Sequence, residues 1–132
     1  MKKMASQAVV ISDNEGVIHL WSQGAELFFG YEATEAVGQR LDLIIPEAYR
    51  ERHWKGFFAA MRTGLIEDEG GAFQSPVLCK DGQVRVFPAR LLLLRDARND
   101  QGPVGALALF SPIDSLDPHD MRSEFTSRSN RP

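Results

Sequence analysis

The chain has 132 residues, the size of one ordinary domain, with 43% hydrophobic and 25% charged residues. That balance supplies a real core under a normal globular surface. Fifteen basic side chains against eighteen acidic ones leave a formal charge of -3, and without a clustered basic excess neither nucleic acid nor an anionic membrane is expected as a partner.

The N-terminal run Ala8-Val9-Val10-Ile11 is too short, and too soon followed by Ser12-Asp13-Asn14, to be a secretory core or a membrane span. It reads as a first strand. Asp13-Asn14-Glu15-Gly16 is turn chemistry, with Asn14 and Gly16 suited to left-handed backbone angles. Val17 to Trp21 then completes a hairpin. Ala25 to Phe29 is a helical turn stopped by Gly30, and Thr34 to Val37 another stopped by Gly38. Pro46 opens a longer helix that runs to Thr63 and ends at Gly64. The acidic, glycine-rich residues 67–71 read as a solvated loop. Three strands follow, at Ala72 to Cys79, Val84 to Leu94 and Val104 to Phe110, separated by Lys80-Asp81-Gly82 and Asn99-Asp100-Gln101-Gly102. Residues 1–112 thus form one domain. Residues 113–132 are polar and bury too little to offset their ordering entropy, so a flexible tail is expected, with a short helix near Asp117 to Phe125 as the alternative.

Two strands, then helices, then three strands is an α+β arrangement, with helices covering one face of an antiparallel sheet. The single cysteine, Cys79, permits no intrachain disulfide and fits a reducing cytoplasm. A catalytic set needs a nucleophile, a base and an oriented partner. Ser22, Ser75, Asp42 and the three histidines have no spacing that suggests one, so the chain is not expected to be an enzyme.

Several landmarks resemble the PAS family. Asp13-Asn14-Glu15-Gly16-Val17-Ile18 is similar to its opening hairpin, Phe29-Gly30-Tyr31 with Ala36-Val37-Gly38-Gln39 to its Gly-Tyr and Val-Gly signature, and Lys80-Asp81-Gly82 to the turn before its penultimate strand. They stand in order across residues 8–112. Ser22 occupies a position where the family often has Asn, and serine also caps helices. The resemblance implies a five-stranded antiparallel sheet with helices over one face, any ligand lying between the long helix and the sheet, and pairing into a homodimer.

The flavin-binding members carry an Asn-Cys signature after the Val-Gly turn. Residues Gly38 to Leu43 lack it, so no flavin is expected. Pro46-Glu47-Ala48-Tyr49-Arg50-Glu51-Arg52-His53 resembles the Pro-Glu-x-Tyr-Arg-x-x-His helix of the heme-binding PAS domains of oxygen-sensing histidine kinases. That likeness implies heme b with His53 as its iron ligand. At about 100° per residue, His53 shares a helix face with Phe57, Ala60 and Met61, and Trp54 and Phe58 broaden it. The implied pocket comprises His53, Tyr49, Phe57 and Met61 on the helix side. Phe73, Leu91, Leu93 and Leu107 face them from the sheet, with Leu109 extending the wall. Phe73 falls where the oxygen-sensing relatives have an arginine, with Gln74 beside it, and an apolar wall there favours carbon monoxide over oxygen. Arg50, Arg52 and Lys55 are candidates to meet the propionates.

Two functions are therefore expected as alternatives. One is a heme-based sensor of a diatomic gas or redox state. The other is a cofactor-free PAS module for dimerisation or small organic ligands. No effector sequence lies within the 132 residues, so the signal is expected to pass through another chain or a dimer. His19 and His119 are expected to be structural or exposed, and no second histidine is spaced for a zinc cage.

Overall fold

The computed structural model describes residues 7–113, apart from Asn99. The expected polar tail, and His119 within it, lie outside the described residues except for Ile113.

Strand β1 (Ala8–Asp13) and β2 (Ile18–Trp21) form the opening hairpin. Its turn takes its left-handed angle at Gly16 alone, with φ of 85°. Asn14 is not left-handed, because Asp13 closes the turn instead: its Oδ1 accepts the N–H groups of Glu15 and Val17 at 2.9 and 3.0 Å. Asp13 Oδ2 also pairs with His19 Nε2 at 2.8 Å, which gives that exposed histidine a structural partner.

Helix α1 (Gln23–Phe29) begins at Ser22. The Ser22 hydroxyl accepts from Ala25 N at 3.2 Å and from Val9 N at 2.8 Å, so one oxygen caps the helix and ties it to β1. Gly30, with φ of 94°, ends α1. The short helix α2 (Ala33–Ala36) carries a reciprocal capping box between Glu32 and Glu35. Two single 3₁₀ turns, Leu41–Ile44 and Glu47–Tyr49, lead into α3 (Arg50–Thr63), which stops at Gly64.

The sheet is completed by β3 (Phe73–Leu78), β4 (Val84–Leu94) and β5 (Gly105–Phe110). Its order is β2-β1-β5-β4-β3, and every pairing is antiparallel. The first hairpin therefore docks beside the last strand, which puts β5 at the centre between β1 and β4. Trp21, Phe29, Phe87 and Phe110 are buried together near α1. Phe29 meets Phe87 and Phe110 edge-on with ring centroids at 5.2 and 5.0 Å, and Phe28 stacks on Phe87 at 5.5 Å. The Trp21 indole N–H donates to the Tyr31 carbonyl at 2.8 Å, so this core leaves its one polar ring edge satisfied.

Candidate functional site

The other half of the same sheet face is not filled. Between it and α3 lies a cavity of about 360 Å³, within the volume range of small-molecule sites. Its composition explains the space. In an antiparallel pair, directly opposed residues share a face, and β5 presents Ala106 and Ala108 to the cavity, opposite Leu93 and Leu91. Two alanines on the central strand leave room that larger residues would take.

Helix α3 contributes Arg52, His53, Gly56, Phe57, Ala60 and Met61 to the walls, one helical face as the sequence spacing requires. The sheet contributes Val10 and Ser12, Phe73 and Ser75, residues 91–93, and Ala106, Ala108 and Phe110. Of the expected pocket residues, His53, Phe57, Met61, Phe73, Leu91 and Leu93 thus come together around one space. Tyr49 and Leu107 do not. Tyr49 precedes α3 and is exposed, with its ring 5.6 Å from the Arg52 guanidinium. Leu107 and Leu109 point to the opposite sheet face, Leu107 opposite Leu92 and Ile11. The connection from β4 to β5 is too long to fix register by turn type, so the sequence gives no parity for β5. Gln74 likewise lies outside the lining, between Phe73 and Ser75 that form it, and its buried Oε1 has no partner.

His53 is half-buried, and its Nδ1 is fully buried with no hydrogen-bond partner. Burial pushes the imidazole below its usual pKa, against an opposing pull from Asp42, so the ring is neutral at physiological pH. A neutral imidazole is the form that binds metals. The Trp54 and Phe57 rings stand at 4.8 and 5.8 Å from it. Trp54 does not widen the cavity wall. Its N–H donates to Asp42 Oδ1 at 2.6 Å, Arg40 lies 4.3 Å over its ring, and its indole packs so closely on Gly16 that any side chain there would collide with it. Phe58 stacks on Trp54 at 5.3 Å and is also outside the lining. Gly56 is the reverse case: a Cβ there would meet nothing within 4 Å, although the residue borders the cavity.

The cavity opens beside β4. Strand β3 pairs only as far as Phe73 opposite Ala89, so residues 90–94 of β4 have no strand on that side, and Leu91 and Leu92 are 40% and 39% exposed. The acidic loop after α3 replaces the missing strand. Gly70 N donates to the Leu91 carbonyl at 2.9 Å, and Leu93 N donates to Glu69 Oε2 at 2.8 Å. Arg90 and Arg95 hold the carbonyls of Gly70 and Gly64, each at 2.7 Å. The Leu93 amide, then Arg95, keep the Glu69 carboxyl below its usual range. Glu69 is therefore an edge cap, not a merely solvated acid, and Ile66 from the same segment lines the cavity. Only an unpaired strand edge, invisible before register is known, would have signalled that role.

An imidazole without a hydrogen-bond partner, an apolar wall, open space over Gly56 and an arginine at the rim together fit a flat, largely apolar, metal-bearing group held by one side chain. They do not fit a multi-ligand metal centre. Among the described residues, no three His, Cys, Asp or Glu side chains gather to hold an ion. Among the same residues, no helix is long and apolar enough to cross a membrane.

An antiparallel sheet whose helix-covered face holds a ligand-sized cavity is the architecture of a small-molecule cup. The chain belongs to the PAS domain family, whose sequence model matches residues 6–111, and it is a PAS sensor domain. Part of it is 41% identical over 46 residues to the sensor protein FixL of Bradyrhizobium diazoefficiens, covering 35% of this chain and 9% of that one. The chain thus spans about a tenth of the length of that curated relative. The fold is similar to the PAS domain of a Colwellia psychrerythraea protein, with a TM-score of 0.66 and 23% identity over 81% of this chain and 86% of that one. It is equally similar to the PAS domain of the Cronobacter turicensis quorum-sensing receptor RpfR in complex with C12:0, with a TM-score of 0.66 and 17% identity over 86% and 100%.

Proposed function

We propose that the cavity holds heme b with His53 as its iron ligand, and that the domain senses a diatomic gas or redox state. The observation that carries this reading is His53, half-buried in the cavity wall, with no hydrogen-bond partner for its ring among the described residues. A polar atom in that position costs free energy unless something binds it. The local likeness to FixL supports the same reading.

Bound heme would supply an iron centre able to take a gas ligand and to change oxidation state. The chain's own residues would do the rest. His53 would hold the metal, Phe57, Leu91 and Leu93 would exclude water, and Gly56 would admit a flat ring close to the backbone. Phe73 and the alanines of β5 offer a bound gas no hydrogen bond, and Ser12 Oγ is committed to the Asp13 carbonyl at 3.1 Å, which leaves Ser75 as the one uncommitted hydroxyl on the wall among the described residues. With so few donors, carbon monoxide loses less than oxygen on this wall. The gas signal would pass to another chain or across a homodimer.

A second reading, a cofactor-free module binding an apolar organic molecule, is favoured by the wall's near-complete lack of polar groups and by the RpfR complex with C12:0. Purification from cells fed a heme precursor separates the two. An intense violet-edge absorbance band in the wild type, lost in His53→Ala, is the expected result. A colourless protein that also refuses added hemin overturns the heme reading and leaves the second.

A further inference from the structure

The cavity wall is electrostatically one-sided. Among the described residues it contains no aspartate or glutamate, and its only cation is Arg52. The neighbouring cations are committed or turned away. Arg50 donates to the carbonyls of Ile45 and Asp42 at 2.9 and 3.4 Å, Arg40 covers the Trp54 ring, and Lys55 is outside the lining.

Among the described cations, Arg52 alone borders the space with its donors free. It has no hydrogen bond or ion pair among the described residues, and its one contact is with the Tyr49 ring. From these observations we propose that the cavity selects acidic amphiphiles: an apolar body fills the space and a carboxylate is received at the rim by Arg52. The inference rests on the cavity being a ligand site, and it deepens either reading of what the ligand is. A heme propionate and an alkyl carboxylate present the same chemistry to Arg52. A guanidinium matches a carboxylate through paired, charge-assisted hydrogen bonds. A neutral amphiphile of the same length would fill the same space and gain nothing from the arginine.

The test is calorimetric titration of the whole chain at low salt with decanoate and decan-1-ol, and separately with hemin and hemin dimethyl ester. Wild type and Arg52→Gln are compared throughout. The proposal expects at least one acid to bind about tenfold tighter than its neutral counterpart. That preference should fall to near unity in Arg52→Gln, with the neutral ligand's affinity unchanged, and should shrink as salt is raised. Equal affinity for acid and neutral partner in the wild type overturns the proposal. So does a preference that survives in Arg52→Gln, or failure of both acids to bind. Binding of decanoate with refusal of hemin would sink the heme reading alone and leave Arg52's role standing.

Discussion

The two halves of the helix-covered sheet face are built on opposite terms. Under α1, Phe29, Phe87, Phe110 and Trp21 are buried and meet edge-to-face, and the indole N–H has its carbonyl. Under α3, alanines line the wall, an imidazole nitrogen has no partner, and the strand edge is capped by a side chain instead of a strand. One half is finished by its own residues. The other leaves a ligand-sized space between its residues. A fold can leave half its core open only if the remaining half is packed to native density, so stability and binding are expected to separate along the sheet.

The largest test of that separation is Phe29→Ala. It removes the ring at the centre of the closed half and is expected to cost about 3–5 kcal/mol, read as a lowered urea midpoint. A loss under about 1 kcal/mol would mean that the closed half is not the stabilising one. Gly56→Ala should act in the other direction. The new Cβ meets no atom, and alanine favours a helix over glycine by about 0.5–1 kcal/mol. The ligand-free protein should therefore unfold at higher urea, while hemin affinity falls because the methyl group occupies the opening. A substitution that stabilised without weakening binding would remove Gly56 from the site.

Glu69→Ala tests the capped edge. Amide exchange at Leu93 should speed up by about tenfold or more, with exchange at Phe87 and Phe110 unchanged. Uniform acceleration at all three amides would make the cap part of the global fold and erase the distinction between the halves. The smallest effect concerns the turn at the closed end, where Arg85 and the Gln83 amide hold Asp81 down to about 2 from its usual 3.8. Because the folded pKa is the lower one, the unfolded chain binds the proton first. The stabilisation is thus present above 3.8 and is lost as the pH falls toward 2. Asp81→Asn should flatten that limb of the urea midpoint against pH and change little at pH 7, since the pair is exposed.

Much of this was legible in the sequence because it is local. Helix stops and the face shared by His53, Phe57 and Met61 depend on near neighbours and stand where the spacing predicts; Asn14, which is not left-handed, and Pro46, which opens a 3₁₀ turn and not α3 itself, are the local exceptions. Ser22 was readable as a cap, though not its second bond to Val9. What escaped the sequence is what depends on register. Leu107 looked like wall because it is large and apolar, yet the small Ala106 and Ala108 face the cavity, and their size makes the space. Trp54 looked like part of the pocket face but is held by Asp42, Arg40 and Gly16. The acidic loop looked solvated because the strand edge it caps exists only after β3 and β4 have paired with unequal lengths.

The central claim, that the open half is completed through His53, is tested most directly by thermal unfolding with and without hemin. Ligand at about 100 times its dissociation constant stabilises a fold by about 2.7 kcal/mol, which for a chain of this size raises the Tm by about 5–15 °C. The account predicts that rise for wild type and its near-complete loss in His53→Ala. No rise in the wild type, or the same rise in both proteins, would contradict it.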